Sequence, residues 1–504
     1  MHLAHIKIEN IRNLGRAEWR APADQAGGWR VVPGENASGK TTFLRSIART
    51  LLGFPGATQE LDPNSWRREG AARGSVDIVL RGHAGFDKGE LDPGQDEVAS
   101  FTENEDGEID FSHLSEARGF GTLPNTLFEG WLSLGYGPYR RFTGGESRLE
   151  KYATPAYAPI ERHLTLFNEG AVLPEGVLWI NKLGYRQLEE QNKKKTTRNG
   201  GHHEANGEAG SLMKNLRALL GRPGLLPHGA KLAEVSSEGL FFTIGRGKPR
   251  GILQLSDGYK SILSMFFDIL RNMERSYGPN NIFDEEGRVV APAVILIDEI
   301  DVHLHPIWQQ KIGVALKRAF PNAQFIVTTH SPIVCQAADS LVVLRKGRSE
   351  QLEGVALDRM RYGNILDAFS TGVFGEDIAR SKTSFVDQPA ERRSDGASEA
   401  RSGHRHALEI DAKGSLGRKR ATHTIEHLGL NERNLPEERV AMYRSAYLSS
   451  LRGYVGSKRA GANPSALNLT SLSHRLIWEE MKRQYQVNVD LIPLFTAAPE
   501  ARVW

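Results

Sequence analysis

The sequence predicts an α/β protein built on a largely parallel sheet. Val294–Ile297 is a short continuous apolar run that leads directly into two carboxylates, Asp298 and Glu299, as in a strand buried on both faces. Such a strand delivers its last residues to the C-terminal edge of the sheet, where ligands bind in open α/β folds. Taken alone, the run fits a strand followed by a solvated acidic turn equally well. Three other motifs favour a ligand site.

The first of these motifs is a glycine-rich turn between a predicted strand, Trp29–Val32, and a predicted helix that runs from Thr41 to Gly53. Its residues match G-x-x-x-x-G-K-[ST] without a gap: Gly34, Glu35, Asn36, Ala37, Ser38, Gly39, Lys40, Thr41 and Thr42. Glycines at these positions let backbone N–H groups surround phosphate oxygens, and the following helix points its positive end at the same anion. Lys40 would reach the β- and γ-phosphates of ATP, and the Thr41 hydroxyl would ligate Mg²⁺.

The other two motifs are turns at the ends of predicted elements. Ser256 and Gly258 precede an apolar helix, where they form either an anion cradle or an ordinary serine N-cap. His330 ends the strand that follows Glu299, so we expect it beside the two carboxylates at the same sheet edge. There it can hydrogen-bond a γ-phosphate or an attacking water, although a cap or surface role is the alternative.

Bulk composition excludes several classes of protein. The chain has 504 residues, 39% hydrophobic residues, a net charge of +3 and one cysteine, Cys335, which indicates two or three domains and no disulfide framework. No window approaches 18 consecutive apolar residues, and the N-terminus lacks a basic-then-apolar signal pattern. We therefore expect a cytoplasmic protein with no membrane partner.

Four motifs follow one another along the chain in the order GENASGKTT, LSDGYKS, VILIDEID and TTHSP. Together they resemble the ABC-type ATPase head of the RecF, SMC and OLD group, and most closely the Septu-type and retron-associated ATPases of anti-phage defence. The segments Leu134–Phe142 and Tyr362–Ser381 resemble that subgroup too, and the resemblance covers about residues 1–380. It implies a P-loop NTPase fold with a helical insertion, followed by a small, mainly α C-terminal region.

The resemblance also implies a role for each motif residue. The loop amides and Lys40 would bind the phosphates of ATP, while Thr41 and Asp298 hold Mg²⁺. Glu299 would be the general base, His330 would sense the γ-phosphate, and Asp301 would be the acid of the D-loop. The opening hairpin would contribute Arg12 and Asn13 to the nucleotide site.

Ser256 and Gly258 would cap the γ-phosphate of an ATP held by a second subunit, which implies a homodimer or a higher oligomer. Two departures from the family pattern stand out. The motif LSDGYKS, which we call the signature, carries Asp257 and Tyr259. In addition, no Q-loop glutamine can be placed, because the region expected to hold it offers Arg140 and Arg141 instead.

The resemblance implies an N-terminal part of the head (1–120), a helical insertion lobe (121–245) and a C-terminal part of the head (246–380). The polar composition that follows predicts a linker (381–405), which separates an accessory region (406–504). Within the insertion we predict a helix over Val177–Glu190, with Leu178, Trp179, Leu183 and Leu188 near one face. A polar loop, Gln191–Gly210, follows and is either solvated or in contact with nucleic-acid phosphates, and a further helix starts at Ser211. Heptad repeats are absent, so no SMC-like coiled-coil arms are expected.

The segment Ala407–Val440 faintly resembles the tail of the HNH-type nucleases that accompany Septu ATPases, without their catalytic pattern. We therefore expect the nuclease to be a partner, and the chain to be a defence ATPase that regulates or scaffolds it. The alternative is a RecF-like repair ATPase that clamps DNA, for which the near-neutral charge is poor support. A transporter subunit and a non-hydrolysing scaffold fit less well, given the continuation after Glu299 and the intact base.

Overall fold

The computed structural model describes residues 1–22, 26–52, 62–87, 96–112, 132–140, 158–196, 207–222, 224–236, 239–363 and 373–374. The chain forms two compact units, Met1–Gln351 and Leu352–Trp504. The features below lie in the first unit, apart from Leu352 and the helix Gly354–Tyr362, which belong to the second. The predicted linker, the accessory region, Gly53 and Arg141 lie outside the described residues.

Fourteen strands are described, and eleven of them form one sheet. In chain order the strands are β1 His2–Ile11, β2 Leu14–Arg20, β3 Gly28–Pro33, β4 Arg73–Arg81, β5 Asp96–Asn104, β6 Ile109–Ser112, β7 Ser133–Tyr136, β8 Lys231–Ser236, β9 Gly239–Thr243, β10 Arg250–Gly251, β11 Ala293–Ile297, β12 Ala323–Thr329, β13 Ser340–Arg345 and β14 Arg348–Leu352. The large sheet has the order β6-β5-β4-β1-β2-β14-β13-β3-β12-β11-β7, and β10-β9-β8 form a separate small sheet.

Nine α-helices are described, eight in the first unit and one in the second. They are α1 Lys40–Leu52, α2 Ala158–Glu161, α3 Leu164–Phe167, α4 Pro174–Thr196, α5 Glu208–Leu220, α6 Asp257–Tyr277, α7 Pro306–Ala319, α8 Pro332–Cys335 and α9 Gly354–Tyr362. Among the described residues, none of these helices is long and apolar enough to cross a membrane.

The sheet has a parallel and an antiparallel half. Strands β13, β3, β12, β11 and β7 are parallel neighbours, whereas β2, β1, β4, β5 and β6 pair antiparallel. Every residue of β11 and β12 is buried, as expected for the centre of a parallel sheet that is covered on both faces. The predicted α/β fold class is confirmed.

The predicted helix over Val177–Glu190 exists but is longer, because α4 continues to Thr196 through the first residues of the predicted polar loop. Its predicted apolar face is partly right: Leu183 is buried as predicted, but Leu178 is 46% and Leu188 52% exposed, and Ile180 is buried instead. A close contact at a glycine explains why the buried face of α4 differs from the predicted one. A Cβ on Gly176 would lie 2.7 Å from the backbone nitrogen of Asp268, so α4 meets α6 backbone to backbone, a contact that apolar periodicity does not reveal.

The buried strand β11 should carry much of the stability of this unit. We expect Ile295→Ala, at a fully buried position, to lower the free energy of unfolding by about 2–5 kcal/mol, through lost burial and the cavity left behind. The matched control is Ile307→Ala, which removes the same atoms from a side chain that is 56% exposed and should cost less than about 0.5 kcal/mol. Urea denaturation followed by tryptophan fluorescence measures both, and equal costs would contradict the assignment of β11 to the core.

Candidate functional site

The glycine-rich turn joins β3 to α1 in a shape that its sequence requires. Gly39 has a φ of +101°, and a Cβ there would lie 2.4 Å from Leu14 Cδ2. A Cβ on Gly34 would lie 2.9 Å from the carbonyl oxygen of Leu344 in the neighbouring strand β13. Both glycines are therefore fixed by geometry as well as by the motif.

Lys40 folds back over this turn. Its Nζ donates to the carbonyl oxygens of Gly34 at 3.0 Å and Glu35 at 2.8 Å. Burial lowers the pKa of the Lys40 ammonium, and the carboxylates of Glu299 and Asp298 oppose that shift. The ammonium is thus a desolvated cation at the mouth of the loop, where it would attract an anion strongly.

Asp298 directly follows β11 and is 1% exposed. Its Oδ2 accepts a hydrogen bond from Thr41 Oγ1 at 2.7 Å, across 257 residues of sequence. Its Oδ1 accepts from Thr328 Oγ1 on the adjacent parallel strand β12. The carboxylate therefore connects the start of α1 to the ends of the two central strands.

Glu299 follows in a strained conformation, with a φ of +44° at a non-glycine residue. Its backbone N–H donates to Thr328 Oγ1 at 2.8 Å. Burial raises the pKa of the half-buried Glu299 carboxyl, as do Asp298 and Asp301, while Lys40 and Arg140 act in the opposite direction. A carboxylate with a raised pKa beside a phosphate-type loop is suited to accept a proton.

The residues after β12 complete this edge of the sheet. Because β11 and β12 are parallel neighbours, His330 follows β12 on the side where Asp298 and Glu299 follow β11. Burial lowers the pKa of the His330 imidazole, as does the charge of Lys40. Asp301 Oδ1 accepts from Thr329 Oγ1 at 2.6 Å, so the predicted D-loop acid is tied to the same strand end.

The pair of oxygens at Thr41 and Asp298 suits a magnesium ion. A hydroxyl and a carboxylate oxygen lie 2.7 Å apart, and both are hard oxygen ligands of the kind Mg²⁺ prefers beside a nucleotide. Among the described residues, no group of three or more His, Cys, Asp or Glu side chains is placed to hold a metal ion. His305 caps α7, where its ring accepts from the backbone N–H of Ile307 at 3.4 Å.

Ser256 immediately precedes α6, and Gly258 is the second residue of that helix. Ser256 occupies the N-cap position, but its side chain makes no capping hydrogen bond. A Cβ on Gly258 would lie 2.5 Å from the carbonyl oxygen of His303. Both residues line a cavity of about 290 Å³ with His303 and His305, and no residue of the glycine-rich turn lines it.

The opening hairpin is held against the turn from its other side. Asn13 Nδ2 donates to the carbonyl oxygen of Ala37 at 2.9 Å. Arg12 donates to Asp62 at 2.8 Å, and its guanidinium carbon lies 4.2 Å from the ring centroid of the buried Trp66. The sequence analysis missed Asp62 and Trp66, since no motif marks a segment that acts only through Arg12.

A buried network connects β7 to α6. Tyr136 Oη donates to Asp268 at 2.8 Å, and Asn272 Nδ2 donates to the same carboxylate oxygen at 3.1 Å. The backbone of Tyr136 also accepts from the N–H of Asp298 at 2.8 Å. Burial raises the pKa of Asp268 to about 6.

Arg140 is the most consequential residue that motif reasoning did not assign. Its buried guanidinium donates to the carbonyl oxygens of Asp298 and Glu299 at 2.8 and 3.3 Å. Sequence analysis singled out the segment around it without giving it a role, because a side chain that binds backbone carbonyls leaves no pattern in its partners.

Comparisons with known proteins agree with this geometry. The family described as "AAA domain, putative AbiEii toxin, Type IV TA system" matches residues 145–335. The Septu protein PtuA of Bacillus mycoides (strain KBAB4) is 26% identical over 328 residues, which cover 65% of this chain and 37% of that protein. The retron Ec83 probable ATPase of Escherichia coli is 49% identical over 89 residues, 18% of this chain and 16% of the relative.

Among solved structures, the SMC head bound to the C-terminal winged-helix domain of ScpA covers 70% of this chain and 97% of its own, with 16% identity and a TM-score of 0.41. The predicted resemblance to Septu and retron ATPases is confirmed by the two curated relatives. Each of these two curated relatives is matched over less than half of its length.

Asp268 should make stability depend on pH in a distinctive way. Its pKa is about 6 when folded against 3.8 in the unfolded chain, so the folded state binds the extra proton between these values. The free energy that this proton contributes is fully present below pH 3.8 and is lost as pH rises through 6, a change of about 3 kcal/mol.

The Asp268→Asn variant lacks this pH-dependent contribution to the free energy of unfolding. We therefore expect the difference in unfolding free energy, wild type minus variant, to fall between pH 4 and pH 7, as measured by urea denaturation. Asp106→Asn, on an exposed turn, is the control. Wild-type and Asp268→Asn curves that run parallel across this range would contradict the buried, protonatable carboxyl.

Proposed function

We propose that this chain is the ATP-binding and ATP-hydrolysing subunit of a bacterial anti-phage defence system. The observation that carries the proposal is the meeting of Thr41, at the end of the phosphate loop, with the Asp298 carboxylate at 2.7 Å. That contact brings two motifs from distant parts of the sequence into one site. The similarity to Septu and retron ATPases supplies the biological setting.

Each residue of the site has a separate proposed role in ATP hydrolysis. The amides of Gly34–Thr42 and the Lys40 ammonium would bind the phosphates, and Arg12 and Asn13 would contact the rest of the nucleotide. Glu299 would take a proton from the attacking water as its oxygen bonds to the γ-phosphorus and ADP departs. His330 would donate a hydrogen bond to the γ-phosphate or bind the attacking water, and Asp301 would hold the turn beyond it.

Magnesium would be held by Thr41 and Asp298 and would neutralise charge on the β- and γ-phosphates. Asp298 is suited to this role because its buried carboxylate accepts from two threonine hydroxyls. Burial of such an anion is costly without a cation close by.

Dimerisation follows from where the signature lies. Ser256 and Gly258 open onto a cavity that the phosphate loop does not line, so the ATP they cap would belong to a second copy of the chain. ATP bound between two copies would favour the closed dimer by differential affinity. In this proposal the closed and open dimers regulate or scaffold an HNH-type nuclease partner.

A RecF-like ATPase that clamps DNA is the second candidate. One observation favours it: a groove of about 640 Å³ lies beside the opening hairpin, and its lining has four cations, Arg16, Arg68, Lys346 and Arg348, but one carboxylate, Glu18. Such a groove suits a phosphate backbone, and binding there would weaken steeply with salt. A nucleic-acid ligand is also compatible with the defence role.

Lys40→Ala should weaken ATP binding by roughly 10- to 100-fold, because a charge-assisted contact to phosphate is lost. Isothermal titration with ATP·Mg²⁺ measures this. Lys231→Ala removes an exposed lysine on β8 and should leave the affinity unchanged. An unchanged Kd in the Lys40 variant would place the nucleotide elsewhere.

Glu299→Gln should bind ATP but turn it over at least about 100-fold more slowly, because the amide cannot accept the proton. With hydrolysis blocked, the variant should accumulate as a larger, ATP-dependent assembly. Phosphate release and mass measured by light scattering, each with and without ATP·Mg²⁺, test both points.

The control is Glu286→Gln, the same chemical change at a side chain that is 70% exposed. If wild type neither hydrolyses ATP nor changes its assembly state, the chain is a static nucleotide-binding scaffold. If assembly instead requires DNA and falls with salt, the DNA-clamp function takes its place.

A further inference from the structure

One buried arginine joins three parts of the site. Arg140 is 2% exposed and lies four residues after the end of β7. Its Nη1 donates to the carbonyl oxygens of Gly137 at 2.7 Å and Asp298 at 2.8 Å. Its Nη2 donates to the carbonyl oxygen of Glu299 at 3.3 Å, and its Nε donates to Ser261 Oγ on α6 at 3.2 Å.

The choice of partners is unusual for a buried cation. Burial lowers the pKa of Arg140 to about 10, so the guanidinium remains charged at neutral pH. An arginine that only neutralised the carboxylates would bind their oxygens in a bidentate pair. Arg140 instead binds the backbone of the two residues that carry those carboxylates, so it fixes where their side chains start.

Glu299 is the residue that most needs such support. Its φ of +44° is a conformation that a non-glycine residue keeps only where its surroundings impose it. Thr328 Oγ1 accepts from the Glu299 N–H, and Arg140 binds the Glu299 carbonyl oxygen. The residue is thereby held from both of its peptide groups.

The same arginine reaches the helix that begins at the signature. Ser261 lies five residues after Ser256, in the second turn of α6. Ser264, one turn further on, donates its hydroxyl to the carbonyl oxygen of Arg140 at 2.9 Å. Helix α6 is therefore bonded to both the side chain and the backbone of Arg140.

We propose that Arg140 is a positioning residue that holds the backbone of Glu299 in its strained turn and ties that turn to the signature helix α6. This inference rests on the proposed function, in which Glu299 is the general base. Arg140 would affect the hydrolytic step through Glu299 and not through contact with ATP. A displacement of α6 would then change the position of the Glu299 carboxylate.

The test compares three variants in the full-length chain. Arg140→Lys keeps the charge but lacks the planar fork that reaches three carbonyls. Ser261→Ala removes only the side-chain bond to α6. Arg162→Lys is the matched control, because Arg162 is a half-buried arginine that also donates to a serine of α6, Ser276 at 3.3 Å, and among the described residues it makes no hydrogen bond to Asp298 or Glu299.

Two measurements are made on each variant: kcat and KM for ATP·Mg²⁺, and hydrogen exchange of the amides in residues 298–304. We expect Arg140→Lys to lower kcat about 100-fold, as for a catalytic group displaced by about 1 Å, with KM changed less than about threefold. Ser261→Ala should lower kcat by about tenfold. Both should speed amide exchange in 298–304, and Arg162→Lys should do neither.

Each outcome decides the inference. Unchanged kcat and unchanged exchange in Arg140→Lys would overturn it, as would equal losses in Arg140→Lys and Arg162→Lys. If wild type shows no turnover that depends on Glu299, the proposed function fails, and amide exchange alone decides whether Arg140 holds the turn. If Arg140→Lys does not fold, Ser261→Ala decides, and normal kcat with normal exchange there would overturn the link to α6.

Discussion

The hydrogen bonds that Asp298 accepts are the interactions on which the site depends. A carboxylate that is 1% exposed is costly to bury unless its oxygens are satisfied, and here Thr41 and Thr328 satisfy both. Thr41 is the second residue of α1 and Thr328 lies in β12, so one buried anion sets the position of the phosphate loop relative to the sheet. Lys40, Glu299 and His330 are all arranged around this centre.

The residue after Asp298, Glu299, has a strained backbone conformation. Glu299 takes a left-handed conformation, which turns the chain sharply at the end of β11 while Ile300 still donates its N–H to the carbonyl oxygen of Thr328. Such a turn is stable only because the neighbouring strand and Arg140 bind it on several sides. The parallel pairing of β11 with β12 and β7 is thus a precondition for the acidic turn, since it supplies both sets of partners.

Much of this could be predicted from the sequence. Glycine spacing, an apolar run and a strand-ending histidine each leave a local pattern, so the phosphate loop, Asp298, Glu299 and His330 were predicted to lie at one sheet edge, where the structure places them. What sequence could not reveal is of a different physical kind: Arg140 acts on backbone carbonyls and Trp66 on one face of Arg12, and contacts of this kind impose no pattern on the partner residues.

Glycine contacts escaped prediction for the same reason. Helix α4 meets α6 at Gly176, where a side chain would strike the backbone of Phe267 and Asp268, and a periodicity of apolar side chains is blind to such a contact. Asp268 lies at this junction, and it binds Tyr136, whose carbonyl oxygen accepts from the N–H of Asp298. The insertion, the signature helix and the carboxylates are therefore packed into one continuous arrangement. The position of the acidic turn depends on how α6 packs as much as on the strand that precedes it.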